Sequence, residues 1–223
     1  MKGLKNVSVY VAGRGVIKTN VGFDGGKIAY IGDDDCGIES LFETDGVVLP
    51  GFIDEHIHGA GGADTMDATE EALQTISEYV AREGTTGFLA TTMTQSKENI
   101  SAALANVRKV KEKGEYKGAE ILGVHLEGPF ISPKHVGAQP LEYVAKPSAD
   151  AFDEYNALSG GNVKIVTLAP EVDGGVELIK HLKKTSVVAS IGHTGATYAD
   201  VENAVKAGAS NVTHTYNAQT GLH

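Results

Sequence analysis

The stretch "LPGFIDEHIHG", residues 49–59, opens as an apolar run and ends polar, with histidines at 56 and 58. Side chains alternate along a strand, so His56 and His58 project to one side. A strand that finishes on two imidazoles predicts a place where polar groups meet. What lies on either side of it decides which fold provides that place.

Downstream, the pattern alternates. Strands are predicted over 47–53, 86–92, 119–126, 163–168, 186–191 and 210–214. Between them, "TEEALQTISEYVARE" spaces Leu73, Ile76, Tyr79 and Val80 at a helical period, with Thr69 as N-cap. "SKENISAALANVRKVKEKG" runs from Ser96 to a stop at Gly114, with lysines towards its C-terminal end. "DGGVELIKHLKK" and "TYADVENAVKAG" behave likewise, and Gly208 closes the second. Such alternation predicts a parallel sheet covered by helices, either doubly wound or a (β/α) barrel.

The reactive side chains favour the barrel, whose active groups gather at the C-terminal ends of several strands. His56 and His58 end the first predicted strand. Glu127 ends the third, in "ILGVHLEGPF". His193 ends the fifth and His214 the sixth. Four imidazoles and one carboxylate suit a divalent zinc, iron, manganese or cobalt ion. They exceed the needs of one tetrahedral ion, so two ions bridged by Glu127 are expected. Amide or ester hydrolysis is the expected chemistry. The pair at 56 and 58 alone is weak evidence, since a histidine at a strand end is more often structural; the joint pattern carries the metal reading.

His125 shares a face with Glu127 and reads either as a support for the ligands or as core. His135, His181 and His223 are given no ligand role. Asp54 shares the inward face but lies deeper, and Glu55 points the other way. No general acid or base is identified.

Upstream, residues 1–48 differ. "VSVYVAG" and "KIAYIGD" are short alternating runs, and Asp24-Gly25-Gly26 is a hairpin signal. A small antiparallel β unit is expected here. The division expected is 1–48 for this unit and 49–223 for the barrel.

The chain of 223 residues carries a formal charge of −10, which disfavours nucleic acid and anionic membrane as partners. Its one cysteine, Cys36, permits no internal disulfide. No apolar run approaches the ~18 residues of a membrane span, and the first residues lack a signal-peptide pattern. A cytoplasmic protein is expected.

"LPGFIDEHIHG" resembles the first-strand metal motif of the amidohydrolase superfamily. "GVHLEGPFISPKHVGAQP", "SIGHTGATYADVENAVKAGASNVTHTYNAQTG" and the N-terminal β segment narrow the resemblance to the N-acetylglucosamine-6-phosphate deacetylases within it. The resemblance implies hydrolysis of the acetamide of N-acetylglucosamine 6-phosphate to glucosamine 6-phosphate and acetate. It implies a principal metal on Glu127, His193 and His214, with a second plausible through His56 and His58. It places Gln139 against the sugar, and Asn217 and Ala218 at its phosphate, partly through backbone N–H groups. It also implies a homodimer.

The family's catalytic aspartate follows an eighth barrel strand, and a phosphate-binding arginine and the last strands of its small β-sandwich also come later. All would lie beyond His223. A closed barrel takes eight strands and about 250 residues. The expectation is therefore a (β/α)8 TIM-type barrel truncated after about six strands, with part of a β-sandwich domain before it, and without activity by itself. Two alternatives stay open. One is another amidohydrolase, a cyclic amidase or deaminase; many of those use a carboxylated lysine after the fourth strand, where this sequence has "TLAPE". The other is a non-catalytic scaffold of the same fold.

Overall fold

The computed structural model describes residues 1–221. The chain divides into two compact units, Met1–Gly51 and a second beginning at Phe52.

In the first unit, β1 (Lys2–Val11) and β2 (Gly15–Asp24) pair antiparallel, and β3 (Lys27–Gly32) continues the sheet beyond β2. The β2–β3 turn is Gly25-Gly26, both at positive φ (55° and 75°), as a two-residue hairpin requires. β4 (Glu39–Ser40) and β5 (Val47–Val48) both run parallel to β1. Leu4, Val7, Val9 and Val21 form the unit's buried cluster.

The strand expected over 47–53 is split. Val47 and Val48 pair with Ser8 and Val9 of the small sheet. The barrel strand begins only at Phe52. Pro50 explains the break, since it has no N–H to donate and restricts Leu49 before it.

The second unit is built on β6 (Phe52–Ile57), with a short ribbon of β7 (Gly59–Ala60) and β8 (Ala63–Asp64) after it. Then follow α1 (Glu70–Arg82), β9 (Thr85–Thr91), α2 (Lys97–Lys113), β10 (Glu120–Glu127), α3 (Ala149–Leu158), β11 (Val163–Leu168), α4 (Gly175–Lys184), β12 (Val188–Ile191), α5 (Tyr198–Ala207) and β13 (Asn211–Val212). The six long-range strands lie in chain order, β6-β9-β10-β11-β12-β13, and every pair is parallel. A doubly wound sheet would reverse order at a switch point. Unbroken order is that of a TIM-type barrel, here six strands with β6 and β13 at the edges.

The helices start and stop where their caps dictate. Thr69 accepts from the Ala72 N–H at the start of α1, and Ser96 from Asn99 N–H at the start of α2. Gly114 ends α2 at φ 66°. On α1, Leu73, Ile76 and Val80 are buried as the period predicts, whereas Tyr79 falls at the margin and is 48% exposed. Each buried Leu, Ile or Val side chain contributes about 1.5–3 kcal/mol. α3 was not expected from the sequence; its N-cap Ser148 and buried Phe152 and Tyr155 account for it. No helix among the described residues is long and apolar enough to cross a membrane.

Candidate metal centre

Glu127 is the last residue of β10 and is 1% exposed. An unpaired buried carboxylate costs several kcal/mol, so its surroundings must answer its charge. Four imidazoles do so. His214 Nε2 lies 2.7 Å from Glu127 Oε1, His193 Nε2 3.1 Å and His56 Nε2 3.6 Å; His58 Nε2 lies 3.0 Å from Oε2. His56 sits in β6 and His58 just after it. His193 and His214 each follow their strand by two residues, in left-handed backbone at φ 48° and 57°. All five residues singled out as ligands in the sequence thus meet at one point. They form two overlapping triads, His56–His58–Glu127 and Glu127–His193–His214.

The donor chemistry suits a cation. His193 Nδ1 lies 2.9 Å from the carbonyl oxygen of His135, so that nitrogen carries the proton. A neutral His193 then turns a bare Nε2 towards Glu127 Oε1, lone pair against lone pair. A proton or a metal ion between them is needed. His56 Nε2 is buried with no hydrogen-bond partner among the described residues. Burial, then the neighbouring His125, push the His56 pKa down to about 4, so the ring is neutral near pH 7. Burial is the largest influence on His58 and His193 too and opposes their charge, but the hydrogen bond to Glu127, its carboxylate charge and further contacts together outweigh it and raise both. Burial alone would raise Glu127. Hydrogen bonds from His193 and His58 and the nearby imidazole charges hold it well below the carboxylate range.

His125 is not among the residues facing Glu127. Its Nδ1 lies 2.8 Å from the Glu55 carbonyl oxygen, and Nε2 2.7 Å from Thr167 Oγ1. Nδ1 must donate to the carbonyl, so Nε2 accepts from Thr167. Thr167 in turn lies 2.8 Å from Thr213 Oγ1, and Thr213 lies 2.6 Å from Ser190 Oγ. The order of donation is therefore Ser190 to Thr213 to Thr167 to His125. This chain joins β12, the β13 end, β11, β10 and β6 beneath the ligands.

Gln139 is 5% exposed and belongs to the same site. Its Nε2 donates to Glu127 Oε2 at 2.9 Å, and its Oε1 accepts the Thr94 N–H at 2.8 Å. Gly128 makes this packing possible: at φ 68°, a β-carbon there would fall 2.0 Å from Thr94 Oγ1. Asn217 is exposed, with its N–H donated to the His214 carbonyl oxygen. The Ala218 carbonyl oxygen accepts the Thr194 N–H at 3.1 Å. Asp54 accepts the His56 N–H at 3.0 Å, which occupies one of its oxygens. The Glu55 side chain is exposed. His181 pairs with Asp153 at 2.7 Å on the helical layer, and His223 lies outside the described residues. Sequence reasoning missed Thr94 and Glu171; the carboxylate in "TLAPE" was the available signal for the second.

A model of the amidohydrolase family matches residues 47–223. The chain is 46% identical to an N-acetylglucosamine-6-phosphate deacetylase of Bacillus subtilis, over 99% of this chain and 57% of that protein. The chain thus spans little more than half the length of this relative. The crystal structure of a deacetylase of the same name from Thermotoga maritima superposes with a TM-score of 0.84 at 32% identity, covering 99% of this chain and 56% of that one. An aspartate-to-alanine variant from Mycobacterium smegmatis, solved with N-acetyl-D-glucosamine-6-phosphate, gives a TM-score of 0.81 at 26% identity, over 98% and 57%.

Proposed function

This chain belongs to the amidohydrolase family, and from that premise we propose that it hydrolyses the acetamide of N-acetylglucosamine 6-phosphate to glucosamine 6-phosphate and acetate. The family is generally metal-dependent. One or two divalent ions, zinc, iron, manganese or cobalt, would be held by His56, His58, Glu127, His193 and His214. The observation that carries the reading is the convergence of four imidazole Nε2 atoms on one buried carboxylate. The names of the relatives support the substrate.

When bound, such an ion supplies Lewis-acid polarisation of the amide carbonyl and activation of water. The protein's own groups prepare that site. Glu127 is shared by both triads and sets their spacing. The His135 carbonyl oxygen keeps the proton of His193 on Nδ1 and leaves Nε2 free to bind. Gln139 rests beside Glu127, held at both ends of its amide by Glu127 and the Thr94 N–H, and would meet the sugar from there. Asn217 and Ala218 would take the phosphate. Positive φ recurs at every second residue, His214, Tyr216 and Ala218, an alternation found in anion-binding backbone; the Asn217 N–H already bonds the His214 carbonyl oxygen, which leaves the Ala218 N–H and the exposed Asn217 side chain for the phosphate. The net charge of −10 makes such local capture necessary.

Two candidate proton donors are already engaged, Asp54 with the His56 N–H and Glu171 with Thr194 and Gly195. The same reading takes the protein to be a cytoplasmic homodimer, with the first unit part of a β-sandwich domain; sedimentation checks the dimer.

The test is calorimetric titration of N-acetylglucosamine 6-phosphate into the zinc-loaded chain and its Glu127→Ala variant. Binding by the parent and none by the variant is expected. A parent that takes up zinc but ignores the sugar phosphate overturns the substrate. A parent that takes up no divalent ion overturns the reading entirely.

A further inference from the structure

β11 contributes no side chain to the ring around Glu127, yet the chain leaving it carries Glu171. One Glu171 oxygen accepts the Gly195 N–H at 2.6 Å, and the other accepts the Thr194 hydroxyl. Those residues directly follow His193, whose backbone is left-handed, a conformation that a β-carbon disfavours. Such a turn persists only where its surroundings hold it. Here the Ser132 N–H donates to the His193 carbonyl oxygen at 2.8 Å. His135 closes the other side; a β-carbon on Gly195 would fall 2.7 Å from its Cε1. Thr194 also reaches the next loop, through its N–H to Ala218 and a bridge to Gln219.

We propose that Glu171 is a positioning residue: its carboxylate holds residues 193–195 in their turn, aims His193 Nε2 at Glu127, and through Thr194 ties that imidazole to the loop of Asn217 and Ala218. A carboxylate suits the task because it accepts two charge-assisted hydrogen bonds from adjacent donors at once.

The test compares the parent chain with Glu171→Ala and Glu171→Gln. In metal-free protein, the Gly195 amide of Glu171→Ala should exchange its hydrogen at least about tenfold faster, since its acceptor is gone. With cobalt(II), the same variant should bind about 10–100-fold more weakly and show a shifted visible spectrum. Glu171→Gln should rescue both, because its oxygen still accepts from Gly195 and its amide can donate to the Thr194 hydroxyl. Exchange and cobalt binding in Glu171→Ala equal to the parent would overturn the proposal. If that variant does not fold, Thr194→Val decides. It should speed exchange at Gly195 and alter the cobalt spectrum; a variant indistinguishable from the parent overturns the proposal. The cobalt arm rests on the metal reading above. A parent that takes up no cobalt ends that reading, and the exchange arm still decides this one.

Discussion

His193 and Glu127 stand 3.1 Å apart, Nε2 to Oε1, while the opposite nitrogen of the same ring is committed to the His135 carbonyl oxygen. Two lone pairs facing at that distance repel, so the pair is stable only with a cation or a proton between them. The same carboxylate faces three further imidazoles. A single side chain is therefore common to the whole cluster.

Glu127→Gln should abolish uptake at both triads. His56→Asn and His214→Asn should each remove one ion and leave the other, because each belongs to one triad only. Each loss should exceed the ~10–100-fold that removing a supporting residue costs. Elemental analysis of dialysed protein reads the stoichiometry. Equal loss in all three variants would indicate a single ion.

Gly128→Ala should destabilise the second unit by about 2–4 kcal/mol, since the new methyl group meets the Thr94 hydroxyl and the backbone is left-handed. Gly161→Ala is the control. It also has positive φ, 76°, but nothing within 4 Å, and should cost about 1–2 kcal/mol. Urea unfolding of both variants compares them. Equal costs would mean that close approach is unimportant at Gly128.

Thr167→Val should cost about 1–3 kcal/mol, because it leaves His125 Nε2 without its donor and Thr213 without its acceptor. Ser190→Ala should cost less, about 0.5–1.5 kcal/mol, because it removes only the first donor of the chain. The reverse ranking in denaturant melts would show that Thr167 is not the link between the hydroxyls and His125.

Burial pushes the pKa of His125 down to about 4, against 6.5 unperturbed. The unfolded chain therefore binds the proton more readily than the folded one. The stability that this imbalance governs is fully present above pH 6.5 and is lost as the pH falls towards 4. The loss is on the order of 3 kcal/mol for this group. Unfolding midpoints of metal-free protein at pH 7 and pH 4.5 measure it. A His125→Asn variant should show a flatter profile, and an unchanged slope would assign the pH dependence elsewhere.

Much of this was legible in the chain. Thr69, Ser96 and Gly114 mark helix ends because capping is settled by a few adjacent residues. Glu127, His193 and His214 could be picked out because each closes its own apolar run. The edges of elements were less secure. Val47 and Val48 suit either sheet by composition, and Pro50 detaches them from the strand that follows. Tyr79 keeps the helical period yet lies where the apolar face meets solvent. Glu171 was passed over because a carboxylate in a loop is ordinary until its donors are known.

By itself the sequence determined the alternation of strands and helices, the parallel sheet and the identity of the residues that meet at its C-terminal end. These follow from short-range periodicity and from chemistry carried by single side chains. Tertiary structure alone decided which nitrogen of His193 turns to Glu127, why His125 stands apart from the residues that face that carboxylate, and which donors Glu171 accepts from after His193. Each depends on hydrogen bonds between residues far apart in the chain, as His214 and Glu127 are, 87 positions from one another. Where a proton resides is set by the partner on the far side of the ring, and only folding supplies that partner.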